Sequence, residues 1–272
     1  MHRVAITREV SPSIARCELT HLAREPIDFE RAREQHRAYE TALERLGCAV
    51  IRLPADPSLP DSVFVEDTTV VLDDVAIIAR PGAESRREEP RAVAAILGRY
   101  RDLDLLGEPA TLDGGDVLRV GRTLYVGVSS RTNEAGIEQL RARARAYEVI
   151  AVPFSGCLHL KTAVTQVGEK LLLINSDSVA REHFRGVEFI EADEPFAANA
   201  LLVGKSVVFP SAYPRTRSRL EGAGVAVVPV DVSELAKAEG GVTCCSVILD
   251  ARGRRAHDGD RVSRDRGQRD LV

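Results

Sequence analysis

Two adjacent cysteines, Cys244 and Cys245, follow a diglycine at Gly240 and Gly241 and open the β-branched, apolar run Ser246-Val247-Ile248-Leu249. A thiolate is a strong nucleophile, and neighbouring cysteines pair poorly with each other in ordinary disulfide geometry, so at least one free thiol is expected here. The glycines let other groups approach the mouth of the run closely. Both sulfurs could equally serve as small core hydrophobes, so the chemistry turns on what else reaches the same place. His159, in Leu158-His159-Leu160-Lys161, is one candidate, and the acids of Glu66-Asp67 and Asp113-Gly114-Gly115-Asp116 are others. A thiol nucleophile, an imidazole that moves its proton and a carboxylate that orients the imidazole make a coherent set. Carboxylates beyond that need suit a cationic substrate, and a planar guanidinium suits bidentate carboxylate binding. Taken singly, His159 reads as a structural histidine, the Asp-Gly-Gly-Asp stretch as a tight turn and Glu66-Asp67 as a solvated edge. Only their convergence favours a site.

The elements that would bring them together recur along the chain. From Asp28 to Leu46, the residues Phe29, Ala32, His36, Tyr39, Leu43 and Leu46 form one helical stripe, with Asp28 as N-cap and Gly47 past the end. A strand at 49–53 and a Pro-punctuated loop at 54–60 follow, then a hairpin at 68–79 around Asp73-Asp74. The same order returns as a helix at 85–100, a strand at 103–106 and a hairpin around Gly121-Arg122. It returns again as a helix at 133–147, a strand at 149–154 and a hairpin around Gly168-Glu169. A weaker helix at 177–184 and a strand at 187–192 lead to a hairpin around Gly204-Lys205. A short helix at 214–221, a strand at 225–230 and the run at 245–249 complete a fifth round. Turn centres recur roughly every 36 to 48 residues, a period typical of propellers and related closed arrays. The fold class is therefore α/β, with five pseudo-repeated ββαβ units around a central channel. The fifth hairpin lacks a second strand, and Val4-Ala5-Ile6-Thr7 is expected to supply it and close the ring. Just ahead of the five inner strands stand Glu66-Asp67, Asp113 to Asp116, His159 to Lys161, Asn199 and Cys244-Cys245. In a ring these positions share one end of the axis.

Bulk properties narrow the function classes. The chain of 272 residues carries a net charge of −4, with 44% apolar and 29% charged residues, as expected of a globular protein with a sizeable core. Its arginines are interleaved with acids rather than clustered, which gives no footing for a nucleic-acid partner. The opening residues lack the apolar core of a signal peptide, and no run approaches membrane-spanning length. Five scattered cysteines do not make a disulfide framework, so a reducing cytoplasm is expected. Residues 1–252 read as one catalytic domain. Residues 253–272, dense in Arg and Asp without apolar periodicity, read as a disordered tail.

With these residues assembled, the sequence resembles the dimethylarginine dimethylaminohydrolases, guanidine-modifying enzymes of the pentein fold. The matching segments are Leu53 to Asp67, Arg80 to Arg87, Thr111 to Leu118, Ser130 to Asn133, Leu158 to Lys161 and Thr243 to Val247, in family order. The resemblance implies a five-bladed α/β propeller that hydrolyses Nω-methylated arginines to citrulline and methylamine or dimethylamine. It implies that Cys244 is the nucleophile (Cys245 being the fallback), that His159 protonates the departing amine and then activates water, and that Asp113 is the partner of the histidine. Glu66, with Asp67 nearby, would grip the guanidinium. Arg86 and Arg131 would clamp the substrate α-carboxylate, and Asp61, with the carbonyls near Leu19 and Ala238, would take the α-amino group. No metal or cofactor takes part, and a monomer or homodimer is expected. The segment before Asp28, where the family's mobile lid lies, is the poorest match.

Rival readings are an arginine deiminase-like hydrolase and a non-catalytic binding protein on the same scaffold. The first usually has Asp two residues after its histidine, where this chain has Lys161; the retained Cys244, His159 and acids argue against the second. A zinc deaminase would need a His-x-Glu with a Pro-Cys-x-x-Cys, which does not occur.

Overall fold

A computed structural model describes residues 3–251 and resolves their strands into five three-stranded sheets. The first part of the chain gives β1 (Arg3–Arg8), α1 (Phe29–Arg45) and β2 (Cys48–Leu53). The second gives β3 (Thr69–Val71), β4 (Val75–Ile78), α2 (Pro90–Leu97) and β5 (Asp102–Leu105). Then come β6 (Val117–Val120), β7 (Thr123–Val128), α3 (Glu134–Arg143) and β8 (Glu148–Pro153), followed by α4 (Leu160–Ala163), β9 (Val164–Gly168), β10 (Leu171–Ile174) and β11 (Glu188–Glu191). The last round holds β12 (Leu201–Val203), β13 (Ser206–Pro210), α5 (Pro214–Gly222), β14 (Ala226–Val230), α6 (Ser233–Ala236) and β15 (Val247–Asp250).

Every sheet has the same plan. An inner strand pairs antiparallel with the middle strand, and the middle strand pairs in parallel with the outer strand that follows the crossover. The fifth sheet follows suit because β1 serves as its middle strand: Arg3 faces Asp250 and Ile6 faces Val247, while β2 lies parallel on the other side. The closure expected from the missing hairpin partner is thus found.

The core is divided among the joints between neighbouring sheets rather than gathered in one place. One cluster joins Ile6 of β1 to Ala76 and Ile78 of β4, another Val70 and Ile77 to Leu124 and Val126, and a third Leu118 and Tyr125 to Leu172 and Ile174. Leu173 meets Phe209 at the fourth joint, and Val208 meets Ala5, Tyr39 and Leu43 at the fifth. Each fully buried Ile, Leu or Phe contributes roughly 1.5–3 kcal/mol, so the ring is held by five comparable seams.

Three elements differ from expectation. The helix expected over 85–100 begins only at Pro90, after a short 3-10 turn at Glu84–Arg86, because proline is favoured in the first turn of a helix and excluded from its interior. The helix expected over 177–184 is no more than a 3-10 turn at Arg181–His183. Its two buried apolar residues, Val179 and Phe184, stand five positions apart and cannot share a helical face. Phe184 packs instead between Tyr125 and Phe189, with ring centroids at 4.8 Å and 6.3 Å. The two cysteines, expected to open the inner strand, lie in the turn ahead of β15. The tail expected over 253–272 lies outside the described residues. No helix among the described residues is long and apolar enough to cross a membrane.

Candidate active site

The five inner strands present their mouths at one end of the ring, and backbone and side-chain hydrogen bonds tie those mouths into a belt. A 3-10 turn at Val65–Thr68 carries Glu66 and Asp67 ahead of β3. A second, at Gly114–Asp116, follows Asp113 and leads into β6. His159 is the residue before α4, and Asn199 precedes β12. The Glu66 N–H donates to the Cys244 carbonyl (3.1 Å), and the Gly115 N–H to Asp67 Oδ1 (3.1 Å). The Leu160 N–H donates to Asp116 Oδ1 (3.0 Å), and the Asn199 amide bridges the Lys161 carbonyl to the Thr243 hydroxyl (3.0 Å each). Helix α1 supports the belt from outside. Its buried Tyr39 hydroxyl reaches the Val242 carbonyl (2.9 Å) and the Ser246 hydroxyl (2.7 Å), on either side of the cysteine pair.

Within the belt His159 lies between two carboxylates. Nε2 is 3.0 Å from Asp113 Oδ2 and Nδ1 is 3.7 Å from Asp67 Oδ1, with all three side chains buried. Burial alone would lower the imidazole pKa. The Asp67 charge, the hydrogen bond to Asp113 and the more distant Asp116 overcome it and hold the ring protonated up to about 9. Asp113 is itself aimed by the Gly82 N–H (2.9 Å). Asp116 anchors the turn, accepting from the hydroxyls of Ser129 and Thr132 (2.6 Å each).

Cys244 is the more accessible of the two cysteines; Cys245 is buried in the seam around Tyr39. The Gly241 N–H points at Cys244 Sγ from 3.4 Å, and the Thr243 hydroxyl lies at 3.8 Å. Burial first, then the charges of Asp67 and Glu66, push the Cys244 thiol up to about 12. The thiol is therefore held neutral and the imidazole protonated at neutral pH. A cation drawn to Asp67 and Glu66 would offset their fields and favour release of the thiol proton. Inactivation of the free protein by neutral iodoacetamide should accordingly rise about tenfold per pH unit from pH 7 to 9 without levelling. A plateau below pH 8 would instead reveal a resting thiolate–imidazolium pair.

The remaining residues expected from sequence divide into two groups. Asp61 and Arg131 face the segment before α1: both Asp61 oxygens accept the Glu18 N–H (3.2 and 3.1 Å), and Arg131 Nη2 donates to the Thr20 hydroxyl (3.2 Å). Leu19 packs against the fifth seam, in which Ala238 is buried. Arg131 Nη1 is buried without a hydrogen-bond partner, 3.8 Å from Asp113 Oδ2. Arg86 and Glu66 are engaged by the chain itself. Every nitrogen of the Arg86 guanidinium donates to Glu89, to Asp67 Oδ2 (2.8 Å) or to the carbonyls of Asp61 and Phe64. Glu66 takes the Lys161 ammonium at 2.5 Å on Oε1, while its Oε2 is buried without a hydrogen-bond partner. Sequence reading missed Lys161 as a partner of Glu66, and Glu89 as a partner of Arg86. The second was signalled by the i, i+3 spacing of opposite charges; the first, 95 residues apart, had no local signal. Ligand atoms of Asp67, Asp113 and His159 lie within 4.8 Å of one another, a spacing that a metal ion could use, but Arg86 and the imidazole already take up these carboxylates.

A family model described as N,N dimethylarginine dimethylhydrolase, eukaryotic, matches residues 20–249. The chain belongs to the dimethylarginine dimethylaminohydrolase family. An enzyme of that name from Streptomyces coelicolor is 42% identical over 254 residues, covering 90% of this chain and 96% of the relative. Among solved structures, the dimethylarginine dimethylaminohydrolase of Pseudomonas aeruginosa, as a cysteine-to-serine variant complexed with citrulline, superposes with a TM-score of 0.87 at 35% identity. It covers 92% of this chain and 100% of that one. A histidine-to-glycine dimethylarginine dimethylaminohydrolase carrying an S-methyl-L-thiocitrulline adduct superposes with a TM-score of 0.86, also at 35% identity and over the same shares of both chains. The five-bladed α/β propeller implied by the sequence resemblance is the fold of this family.

Proposed function

We propose that the protein hydrolyses Nω-methylated L-arginines to L-citrulline and methylamine or dimethylamine. The observation that carries this reading is the buried His159, pinned by Asp113 and facing Asp67 beside the Cys244 turn. The citrulline complex and the thiocitrulline adduct of its relatives support the substrate class. The substrate guanidinium lies against Asp67, whose position is fixed by Arg86 and by the Gly115 N–H. Its positive charge lowers the thiol pKa, the thiol proton passes to solvent because His159 already carries one, and the Cys244 sulfur adds to the guanidinium carbon. Protonated His159 delivers its proton to the methylated nitrogen, the C–N bond breaks and the free amine leaves a thiouronium on Cys244. The imidazole, now neutral, takes a proton from water as the oxygen attacks the same carbon. The C–S bond then breaks, giving the ureido group of citrulline and restoring the thiol.

The unpartnered Nη1 of Arg131 is the donor available to the substrate α-carboxylate. Asp61, with the carbonyls of Leu19 and Ala238, is the proposed subsite for the α-amino group. Arg86, each of whose three guanidinium nitrogens already donates within the chain, acts by holding Asp67. Lys161 holds Oε1 of Glu66, and the buried, unpartnered Oε2 is left, with Asp67 nearby, for the guanidinium. No metal enters these steps, and the reaction is placed in the cytoplasm. The test is a substrate panel of asymmetric dimethylarginine, monomethylarginine, arginine and agmatine, read by citrulline or carbamoylputrescine formation. Citrulline from the methylarginines at a kcat/KM well above that for arginine is expected. Preferred turnover of arginine would favour a deiminase, and no turnover at all would favour a binding protein.

A further inference from the structure

The segment from Cys17 to Asp28 has no helix or strand of its own, yet it is bonded to Asp61 and Arg131, and its His21 and Leu22 line a cavity with Asn199 and Gly241. Ser85 Oγ donates to Glu18 Oε1 (2.6 Å), Lys237 Nζ to the Pro26 carbonyl (3.1 Å) and the Asp28 N–H to Glu234 Oε2 (2.9 Å), and four further sets of contacts hold the segment. Asp61 takes the Glu18 N–H, and Arg131 holds the Thr20 hydroxyl. Arg24 reaches back to the carbonyls of Ala15 and Cys17 (2.6 Å each). The fourth set is different in kind: three consecutive backbone N–H groups, of Thr20, His21 and Leu22, converge on the single carboxylate of Glu239. Their distances are 3.0 Å to Oε2 for Thr20, and 2.5 Å and 2.6 Å to Oε1 for His21 and Leu22. Successive N–H groups turned toward one point make an anion-binding concavity, and here the anion is the protein's own.

Glu239 is held in place at a cost. Its φ of +58° lies in the left-handed region that a side chain other than glycine seldom adopts, and only it and Phe196 do so among the described non-glycine residues. It also stands between Ala238 and the diglycine whose Gly241 N–H meets Cys244 Sγ, so its backbone is continuous with the nucleophile turn. Both Asp61 oxygens, which the proposed reaction assigns to the substrate, take the Glu18 N–H, so the substrate competes for that contact, while Arg131 can keep Nη2 on Thr20. The Glu239 contact has no such competitor.

We propose that Glu239 is a positioning residue, a carboxylate latch that keeps residues 19–22 in place while Asp61 turns to the substrate. The Leu19 carbonyl is thereby held where the α-amino group is read. This rests on the reaction proposed above, and the test is built so that the two can fail separately. Glu239→Gly removes the carboxylate and suits the positive φ; Glu239→Gln keeps the length and one acceptor oxygen. Hydrogen exchange at the amides of Thr20, His21 and Leu22, measured without ligand, should accelerate roughly tenfold in Glu239→Gly and less in Glu239→Gln. On dimethylarginine, KM should rise roughly tenfold in Glu239→Gly with kcat within about threefold, and Glu239→Gln should fall between Glu239→Gly and the parent. Unchanged exchange in Glu239→Gly would overturn the latch. Faster exchange with an unaltered KM, or a loss confined to kcat, would overturn the positioning role. Should the parent release no citrulline from any substrate, the reaction has failed, and the exchange measurement alone decides the latch.

Discussion

Replacing Cys244 with serine is expected to lower kcat for dimethylarginine by roughly 10⁴-fold or more, as loss of a catalytic nucleophile does elsewhere. Cys245→Ser should retain kcat within about tenfold. The reason lies in where the two sulfurs sit. Cys244 lies beside Asp67 and Glu66, whose fields a guanidinium would relieve. Cys245 is 1% exposed, packs against Tyr39 and Leu43, and donates to the Gly241 carbonyl at 3.5 Å. A serine hydroxyl there keeps that acceptor but brings a more polar atom into an apolar seam, a cost of about 1 kcal/mol in stability. Steady-state rates together with thermal melts separate the two outcomes. A fully active Cys244→Ser alongside an inactive Cys245→Ser would move the nucleophile by one residue.

The second large effect is expected from one methyl group at Gly115. A β-carbon there would meet Asp67 Oδ1 and His159 Nδ1 at 2.6 Å each, so both must shift. Displacements of about 1 Å in reacting groups cost on the order of 100-fold. Gly115→Ala should therefore lose at least that factor in kcat/KM, with the imidazole pKa falling as Asp67 moves away. At the neighbouring Gly114 the obstacles are the backbone carbonyls of Glu66 (2.1 Å) and Thr69 (2.6 Å), which cannot rotate aside. Gly114→Ala should show itself first as a loss of stability, of about 1–3 kcal/mol or more. Equal melting temperatures and equal activities for both variants would rule out the packing described around His159.

The frame of the site was readable because it is written in periodic and punctuating residues. Turn pairs at Gly121-Arg122, Gly168-Glu169 and Gly204-Lys205 mark the hairpins, and the stripe from Phe29 to Leu46 marks α1. Once the repeat was counted, the residues ahead of each inner strand identified the mouths. The missing second strand of the fifth hairpin pointed to Val4-Ala5-Ile6-Thr7. What was not readable depends on distance in sequence or on competition between local signals. The helix expected over 85–100 starts at Pro90, and the stretch 177–184 holds two buried apolar residues, Val179 and Phe184, whose spacing gives no common helical face. The ion pair of Lys161 with Glu66 and the hold of Glu239 on residues more than 200 positions away leave no local trace. Arg86 could be placed at the site by its motif, but its engagement with Asp67 and Glu89 required coordinates.

The pairing of β15 with β1 has a consequence for how the molecule comes into being. The turn bearing Cys244 is followed immediately by the strand that seals the circle, and that strand's partner is made some 240 residues earlier. Synthesis from the N-terminus supplies Glu66, Asp67, Asp113 and His159 well before the sulfur. The nascent chain thus carries no assembled reaction centre, and the event that arms the thiol is the same event that finishes the wheel.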